Sequence, residues 1–184
     1  LAVLVLDVGR EADQLDRIHK EVPCAHQLAE SLLLVNVILD PSLPAGPLVE
    51  LGVYKGGMTA KLAVAANRAG REFYAFDTFP GLPGNETHVE MNGRVQEYTK
   101  GAYQGSLAEV QATVDRVGGR VTLIPGDIAE TLSDTVLRPA LVFMDLDLVQ
   151  SARVAIRHLW PRMLSGGYWF THEAGVRTYM EQLI

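Results

Sequence analysis

The sequence predicts an α/β fold in which a mostly parallel, twisted sheet carries helices on both faces, and three observations predict it. From Pro47 onward, short apolar runs alternate with helical patterns, the signature of parallel strands joined by crossover helices. A glycine cluster between Gly52 and Gly57 lies where the first apolar run turns into a helix. Acidic residues recur at the ends of successive runs, at Glu50, Asp77, Asp127, Asp145 and Asp147, which is the edge where open parallel sheets bind ligands.

Residues 1–7 are apolar and β-compatible but have no evident strand partner. In residues 25–39, Leu28, Leu32, Val35 and Leu39 recur at helical spacing, and Asp40-Pro41 ends that helix. Residues 47–51 read as a first strand and 57–69 as a helix burying Leu62, Ala65, Ala66 and Ala69. A second strand covers 73–76. Residues 107–117 are helical, with Leu107, Val110, Val114 and Val117 on one face, and 121–124 form a third strand. A buried fourth strand covers 141–144. Residues 152–163 form a helix with Ala152, Ala155, Ile156, Leu159, Trp160 and Met163 inward, and 167–171 a fifth strand. Residues 78–105 form one long irregular region, too long for a plain connection and therefore a candidate substrate loop.

A chain of 184 residues with 48% hydrophobic content fits one domain with a substantial core. Residues 1–46 read as an N-terminal helical or lid segment and 47–184 as the ligand-binding domain. The net charge of −6 gives no broad cationic surface, which excludes a nucleic-acid footprint driven by charge. A hydroxylated small molecule, glycosylated or not, fits better, and self-association into a homo-oligomer is open. Cys24 is the only cysteine, so there is no intrachain disulfide and no multi-cysteine zinc site, which favours a reducing, cytoplasmic setting. Residues 1–6 and 32–39, the longest apolar stretches, fall short of the roughly 20 residues that span a bilayer, so no membrane partner is expected.

In Glu50-Leu51-Gly52-Val53-Tyr54-Lys55-Gly56-Gly57 the glycines let backbone close on a ligand at a helix amino terminus. The spacing matches neither the dinucleotide fingerprint nor a P-loop. An acidic Glu50 repels a pyrophosphate but accepts from a cationic amino group, and S-adenosylmethionine offers an ammonium and a sulfonium. Asp77, 20 residues after Gly57, stands where such folds place the carboxylate that grips ribose hydroxyls. Asp127 follows the third strand and can accept from an adenine amino group while Ile128 covers the ring. Taken singly, each acid has an ordinary reading as a helix cap or solvated loop charge. Acids at four successive strand ends make that the weaker account.

With these residues in place, the chain resembles the macrocin O-methyltransferase group, bacterial enzymes that methylate sugar hydroxyls on macrolides and related natural products. The likeness runs from Pro47 to the end and rests on four segments. Val49 to Gly57 resembles the family's cofactor turn. Phe76-Asp77-Thr78-Phe79-Pro80-Gly81-Leu82-Pro83 resembles its Asp-Ser-Phe-x-Gly-Leu-Pro string, the most specific of the four because packing alone gives no reason for it. Gly126-Asp127-Ile128-Ala129-Glu130-Thr131-Leu132 resembles a Gly-x-x-x-Asp-Thr-Leu stretch. Asp145-Leu146-Asp147-Leu148, followed by Ser151 and by Pro161 to Gly167, resembles the family's Asp-x-Asp-Leu-Tyr helix and Pro-Gly-Gly strand entry. The resemblance implies a Rossmann-like class I methyltransferase dependent on S-adenosylmethionine, with Glu50, Gly52, Gly56, Asp77, Thr78, Asp127, Ile128 and Asp145 around the cofactor. It also implies two further strands closing the sheet as an antiparallel hairpin, a part missing from this sequence.

The family holds a divalent metal, usually magnesium, on the first Asp after the fourth strand and on an Asp pair after the fifth. Asp145 matches the first, but His172-Glu173 replaces the pair, moving preference from magnesium toward manganese, iron or zinc. Val149 also replaces the family's Tyr. His172 then has three readings: a metal ligand with Asp145 and Glu173, a metal-free general base suited to a hydroxyl proton, or a structural histidine at a strand end. His88 reads as a solvated loop histidine before a substrate-side base. Tyr98, Tyr103 and Met91 read as exposed loop residues that line a pocket or anchor the loop. Arg153, Arg157, His158 and Arg162 read as a solvated helix face. Two rival functions stand beside the O-methyltransferase: a non-catalytic or metal-free adenosylmethionine-binding domain, and an NAD-linked oxidoreductase, which the Gly52 spacing disfavours.

Overall fold

The computed structural model describes residues 2–183, with side chains from Ala12 onward. Two helices come first, α1 (Ala2–Glu21) and α2 (Leu28–Leu39). Residues 1–7 read as β-compatible, and apart from the undescribed Leu1 they are instead helical. Local strand preference is weak against a run without a breaker before Pro23. Leu15 and Ile18 of α1 and Val22, which follows it, are buried, Ile18 and Val22 against Ala60.

The sheet strands are β1 (Leu48–Leu51), β2 (Phe73–Asp77), β5 (Thr122–Pro125), β6 (Leu141–Met144) and β7 (Tyr168–Thr171), all paired in parallel in the order β5-β2-β1-β6-β7. The five predicted strands are therefore all present, and the mostly parallel class I methyltransferase architecture is borne out. The order reverses between β1 and β6, and that switch point is where a doubly wound sheet opens a crevice at its carboxyl edge.

Both sheet faces are covered, which is why the strands read as apolar runs rather than as alternating ones. Leu48, Phe73, Ala75, Leu141 and Phe143 point to α2, to α3 (Gly57–Ala69) and to α4 (Leu107–Arg116). Val49, Leu51, Phe76, Val142 and Met144 point the other way, to α5 (Ile128–Thr131), α6 (Val149–Leu159) and α7 (Arg177–Leu183). The period of two thus divides one strand set between two cores.

Two readings change. The helix expected over 152–163 begins at Val149 and gives way at Pro161 to a 3-10 turn, Trp160–Arg162, which leaves Trp160 61% exposed rather than inward. The irregular region 78–105 contains an antiparallel hairpin, β3 (Glu86–Val89) with β4 (Val95–Tyr98). Val89 N donates to Thr178 Oγ1 at 2.7 Å and Met91 N to the Gly175 carbonyl at 3.1 Å, fixing the hairpin against α7. No described helix is long and apolar enough to cross a membrane.

Leu51, fully buried on the central strand, carries the core. Leu51→Ala should cost about 2–5 kcal/mol in denaturant unfolding, whereas Val136→Ala at an 86% exposed position should stay within about 0.5 kcal/mol.

Candidate active site

The turn after β1 is shaped by one steric contact and one carboxylate. Gly52 has φ +93°, and a Cβ there would fall 2.2 Å from the Asp145 carbonyl oxygen, so only glycine lets the turn lie against the end of β6. Asp77 accepts from Val53 N at 2.6 Å and Tyr54 N at 3.0 Å through Oδ2, and from Phe79 N at 2.5 Å through Oδ1. Its carboxylate, expected on a ribose, thus first holds the backbone of the turn, and it keeps about one of its four acceptor positions open. Gly56 caps α3 in the left-handed region. Thr78 Oγ1 donates to the Gly81 carbonyl at 2.6 Å. Asp127 Oδ1 accepts from Ala129 N at 2.8 Å as the cap of α5, and Ile128 is buried beside it.

Gly52, Asp77, Thr78, Asp127 and Ile128 line a cavity of about 340 Å³ that also takes in Asp145 and His172, a volume within the range of small-molecule sites, whereas Gly56 does not line it and a Cβ there would meet the Val110 side chain at 3.0 Å. Glu50 lines it, fully buried, with neither carboxylate oxygen hydrogen-bonded. Burial pushes its pKa up to about 8. A buried carboxylate without a hydrogen bond is costly and rare, and a cationic amino group is one partner that would favour its charged form. The glycine cradle and this orphaned acid together fit an adenosylmethionine-type ligand.

In the same cavity, at the end of the neighbouring strand, Asp145 Oδ2 lies 3.0 Å from His26 Nε2, and Oδ1 lies 3.1 Å from His172 Nδ1. The two imidazoles meet edge to face at 4.5 Å. The Asp145 and Glu173 carboxylates raise the His172 pKa to about 10. At His26 burial works to lower the pKa, but the carboxylate of Asp145 and the thiol of Cys24 outweigh it, giving about 9. Burial works against the Asp145 anion as well, and His172 and His26 together still hold its pKa near 2. Asp147, in the same cavity, is pushed up to about 8 by burial and by the charges of Asp145 and Glu173.

His172 is therefore joined to Asp145 as the sequence suggested, while Glu173 divides its contacts. One oxygen lies 3.4 Å from His172 Nδ1 and the other accepts from the Tyr98 hydroxyl at 3.3 Å. The donor atoms that converge to within 4.8 Å are those of His26, Asp145 and His172. Two imidazoles and a carboxylate fit manganese, iron or zinc better than magnesium. His26 is the residue that sequence reasoning missed. Its signal is modest: Pro23-Cys24-Ala25-His26, a short break between two helices carrying two metal-capable side chains.

The hairpin corrects two other readings. His88 is buried between the rings of Tyr98 and Tyr179, with Nε2 3.0 Å from Glu86, rather than solvated. Tyr98 is buried too, whereas Tyr103 is half-exposed at the cavity mouth and Met91 is exposed. The helical basic residues behave as a surface set, with Arg153 donating to the Gln182 carbonyl and Arg162 to that of His158.

A family model described as a methyltransferase domain matches residues 49–174. A curated Streptomyces olivaceus protein, 8-demethyl-8-(2,3-dimethoxy-alpha-L-rhamnosyl)-tetracenomycin-C 4'-O-methyltransferase, is 34% identical over 145 residues, covering 73% of this chain and 54% of its own length. The chain thus spans about half the length of that relative. Among solved structures, the calicheamicin methyltransferase CalS11 aligns with a TM-score of 0.65 at 20% identity, over 95% of this chain and 80% of that one. The O-methyltransferase NovP aligns with a TM-score of 0.63 at 24% identity, over 80% and 67%. At these identities the solved structures establish the fold.

The raised His172 pKa means that its bond to Asp145 stabilises the metal-free fold fully below pH 6.5 and is lost as pH rises toward 10. The lowered Asp145 pKa means that its share is present above pH 3.8 and is lost as pH falls toward 2. The stability advantage of wild type over Asp145→Asn should therefore peak between these limits and shrink on the alkaline side. Imidazole NMR should show His172 protonated at pH 8 in wild type and titrating near its ordinary range in the variant. An unchanged titration in Asp145→Asn would refute the pairing.

Proposed function

The chain belongs to the methyltransferase-domain family, and from that premise we propose that it transfers a methyl group from S-adenosylmethionine to a sugar hydroxyl of a small natural product. One observation carries this reading: Glu50, buried with neither carboxylate oxygen hydrogen-bonded, and the Asp145–His172 pair line one cavity. The 4'-O-methyltransferase relative, named for a rhamnosyl-bearing substrate, supports the choice of a sugar hydroxyl.

S-adenosylmethionine supplies an electrophilic methyl group on a sulfonium. Glu50 binds the ammonium of the methionine part, Gly52 and Gly56 give the backbone room to approach, Asp77 and Thr78 hold the ribose side, and Asp127 with Ile128 the adenine. Asp145 orients His172 toward the acceptor. His172 carries a proton in the metal-free cavity and gives it up as positive charge enters the site, after which the imidazole accepts the proton of the acceptor hydroxyl. His26, Asp145 and His172 would hold a divalent cation, which would supply Lewis acidity toward the acceptor oxygen. Residues 1–46 act as a lid on the domain formed by 47–184, a role supported by Pro23, Cys24, Ala25 and His26 in the cavity wall. The single cysteine supports a cytoplasmic location.

Calorimetry should show adenosylhomocysteine binding and no NAD binding, and Glu50→Gln should weaken the former by about tenfold, the worth of one charge-assisted hydrogen bond. His172→Ala should keep adenosylhomocysteine affinity but lower kcat by about 10²–10⁴. Tight NAD binding with no adenosyl-ligand binding would sink the assignment. Full activity after complete metal removal would assign deprotonation to His172 without a metal.

A further inference from the structure

Tyr179 on α7 is fully buried in the core that also holds Leu51, Phe76 and Met144. A phenylalanine would fill the same apolar place, so packing does not account for the hydroxyl. It donates to the Leu146 carbonyl at 2.6 Å, the kind of partner that a buried tyrosine needs. Leu146 stands between Asp145 and Asp147, and all three line the cavity. The strand pairs of β6 end at Met144, and Asp145 N reaches the Leu51 carbonyl at 2.8 Å. From Leu146 to Leu148 the loop lies past the sheet and is fixed from outside it.

Tyr179 fixes one end of that loop. At the other, Val149 N donates to Glu86 Oε2 at 2.9 Å and sets the start of α6. His88 stands between the two, its ring 5.4 Å from that of Tyr179 and its Nε2 3.0 Å from the same Glu86 oxygen. None of these three described residues lines the cavity, so they act on it only through the loop. The helix that carries Tyr179 is itself braced on two sides. Thr178 Oγ1 accepts from Val89 N at 2.7 Å on the hairpin side, and the Gln182 carbonyl accepts from Arg153 of α6. Such bracing matters because a misplacement of about 1 Å transmitted from outside a site can cost about 10²-fold in rate, and a precise site needs a supporting shell.

Resting on the methyltransferase reading, we infer that Tyr179, backed by His88 and Glu86, is a positioning residue of methyl transfer: its hydroxyl fixes the Leu146 carbonyl and thereby the loop that presents Asp145 to His26 and His172. Without the hydroxyl the loop relaxes and Asp145 shifts between its two imidazoles. Glu50, on β1, and Asp77, on β2, are held by other elements and keep their places.

The test compares wild type, Tyr179→Phe and Thr178→Ala by imidazole NMR at one pH and by adenosylhomocysteine titration. Of the five histidines, His26 is the informative one, because it belongs to the N-terminal segment and meets the loop through Asp145. In Tyr179→Phe the His26 and His172 signals should move beyond their linewidths, while adenosylhomocysteine affinity stays within about threefold. Thr178→Ala frees the hairpin's bond to α7 but leaves the hydroxyl on Leu146, so its His26 signal should stay in place. An unmoved His26 signal in Tyr179→Phe, an equal shift in Thr178→Ala, or a larger loss of affinity overturns the inference. Should Tyr179→Phe not fold, Glu86→Ala, which frees the other end of the loop, decides by the same signal: movement supports the inference and no movement overturns it. Failure of the wild type to bind adenosylhomocysteine would count against the methyltransferase reading instead, and the imidazole signals of the free protein would still decide the positioning.

Discussion

Asp145 is the constraint on which the rest of the site depends. Its backbone N donates to the Leu51 carbonyl at 2.8 Å, registering the end of β6 against β1. Its own carbonyl oxygen occupies the space that a side chain at Gly52 would need. Its carboxylate holds His26 from the N-terminal segment and His172 from the end of β7. One residue at the switch point thus contacts the glycine turn, the N-terminal segment and the imidazole pair. A buried carboxylate is tolerated there because two imidazoles compensate its charge.

Glu50 has the opposite environment only one strand away. It is buried with neither oxygen hydrogen-bonded, and Thr59 and His26 offset its burial only in part, so an arriving cation would favour its charged form. Two acids at the carboxyl ends of adjacent strands thereby have different surroundings, one held between two imidazoles and the other without a hydrogen bond. The hairpin β3–β4 completes the enclosure. Tyr98 reaches Glu173, and Glu86 caps α6, so the wall of the cavity is tied to both the imidazole cluster and the helix that follows β6.

Much of this was legible in sequence because its causes are local. The five strands follow from short continuous apolar runs between helical patterns, and the glycine turn from Glu50-Leu51-Gly52 at a strand end. The pairing of Asp145 with His172 was suggested by the position of His172-Glu173 after the fifth strand. What escaped has long-range causes. His26 reaches the site only because α1 and α2 pack on α3, and its neighbours in sequence do not record that packing. Residues 1–7 carry strand-forming side chains, yet they continue a helix. His88 looked solvated because its covering partner, Tyr179 of α7, lies far along the chain. Asp77 shows a subtler gap: its place was foreseen, but not that its carboxylate would be shared with the backbone of Val53, Tyr54 and Phe79.

The central claim is that one cavity brings a cofactor-binding acid, Glu50, together with the Asp145–His172 pair. A crystal structure of the protein with adenosylhomocysteine and manganese tests it most directly. The account predicts the ligand's ammonium on Glu50, its sulfur facing the Asp145–His172 pair, and any anomalous manganese peak on His26, Asp145 and His172. Adenosylhomocysteine bound outside this cavity, or bound within it with Glu50 still unpartnered, would contradict it.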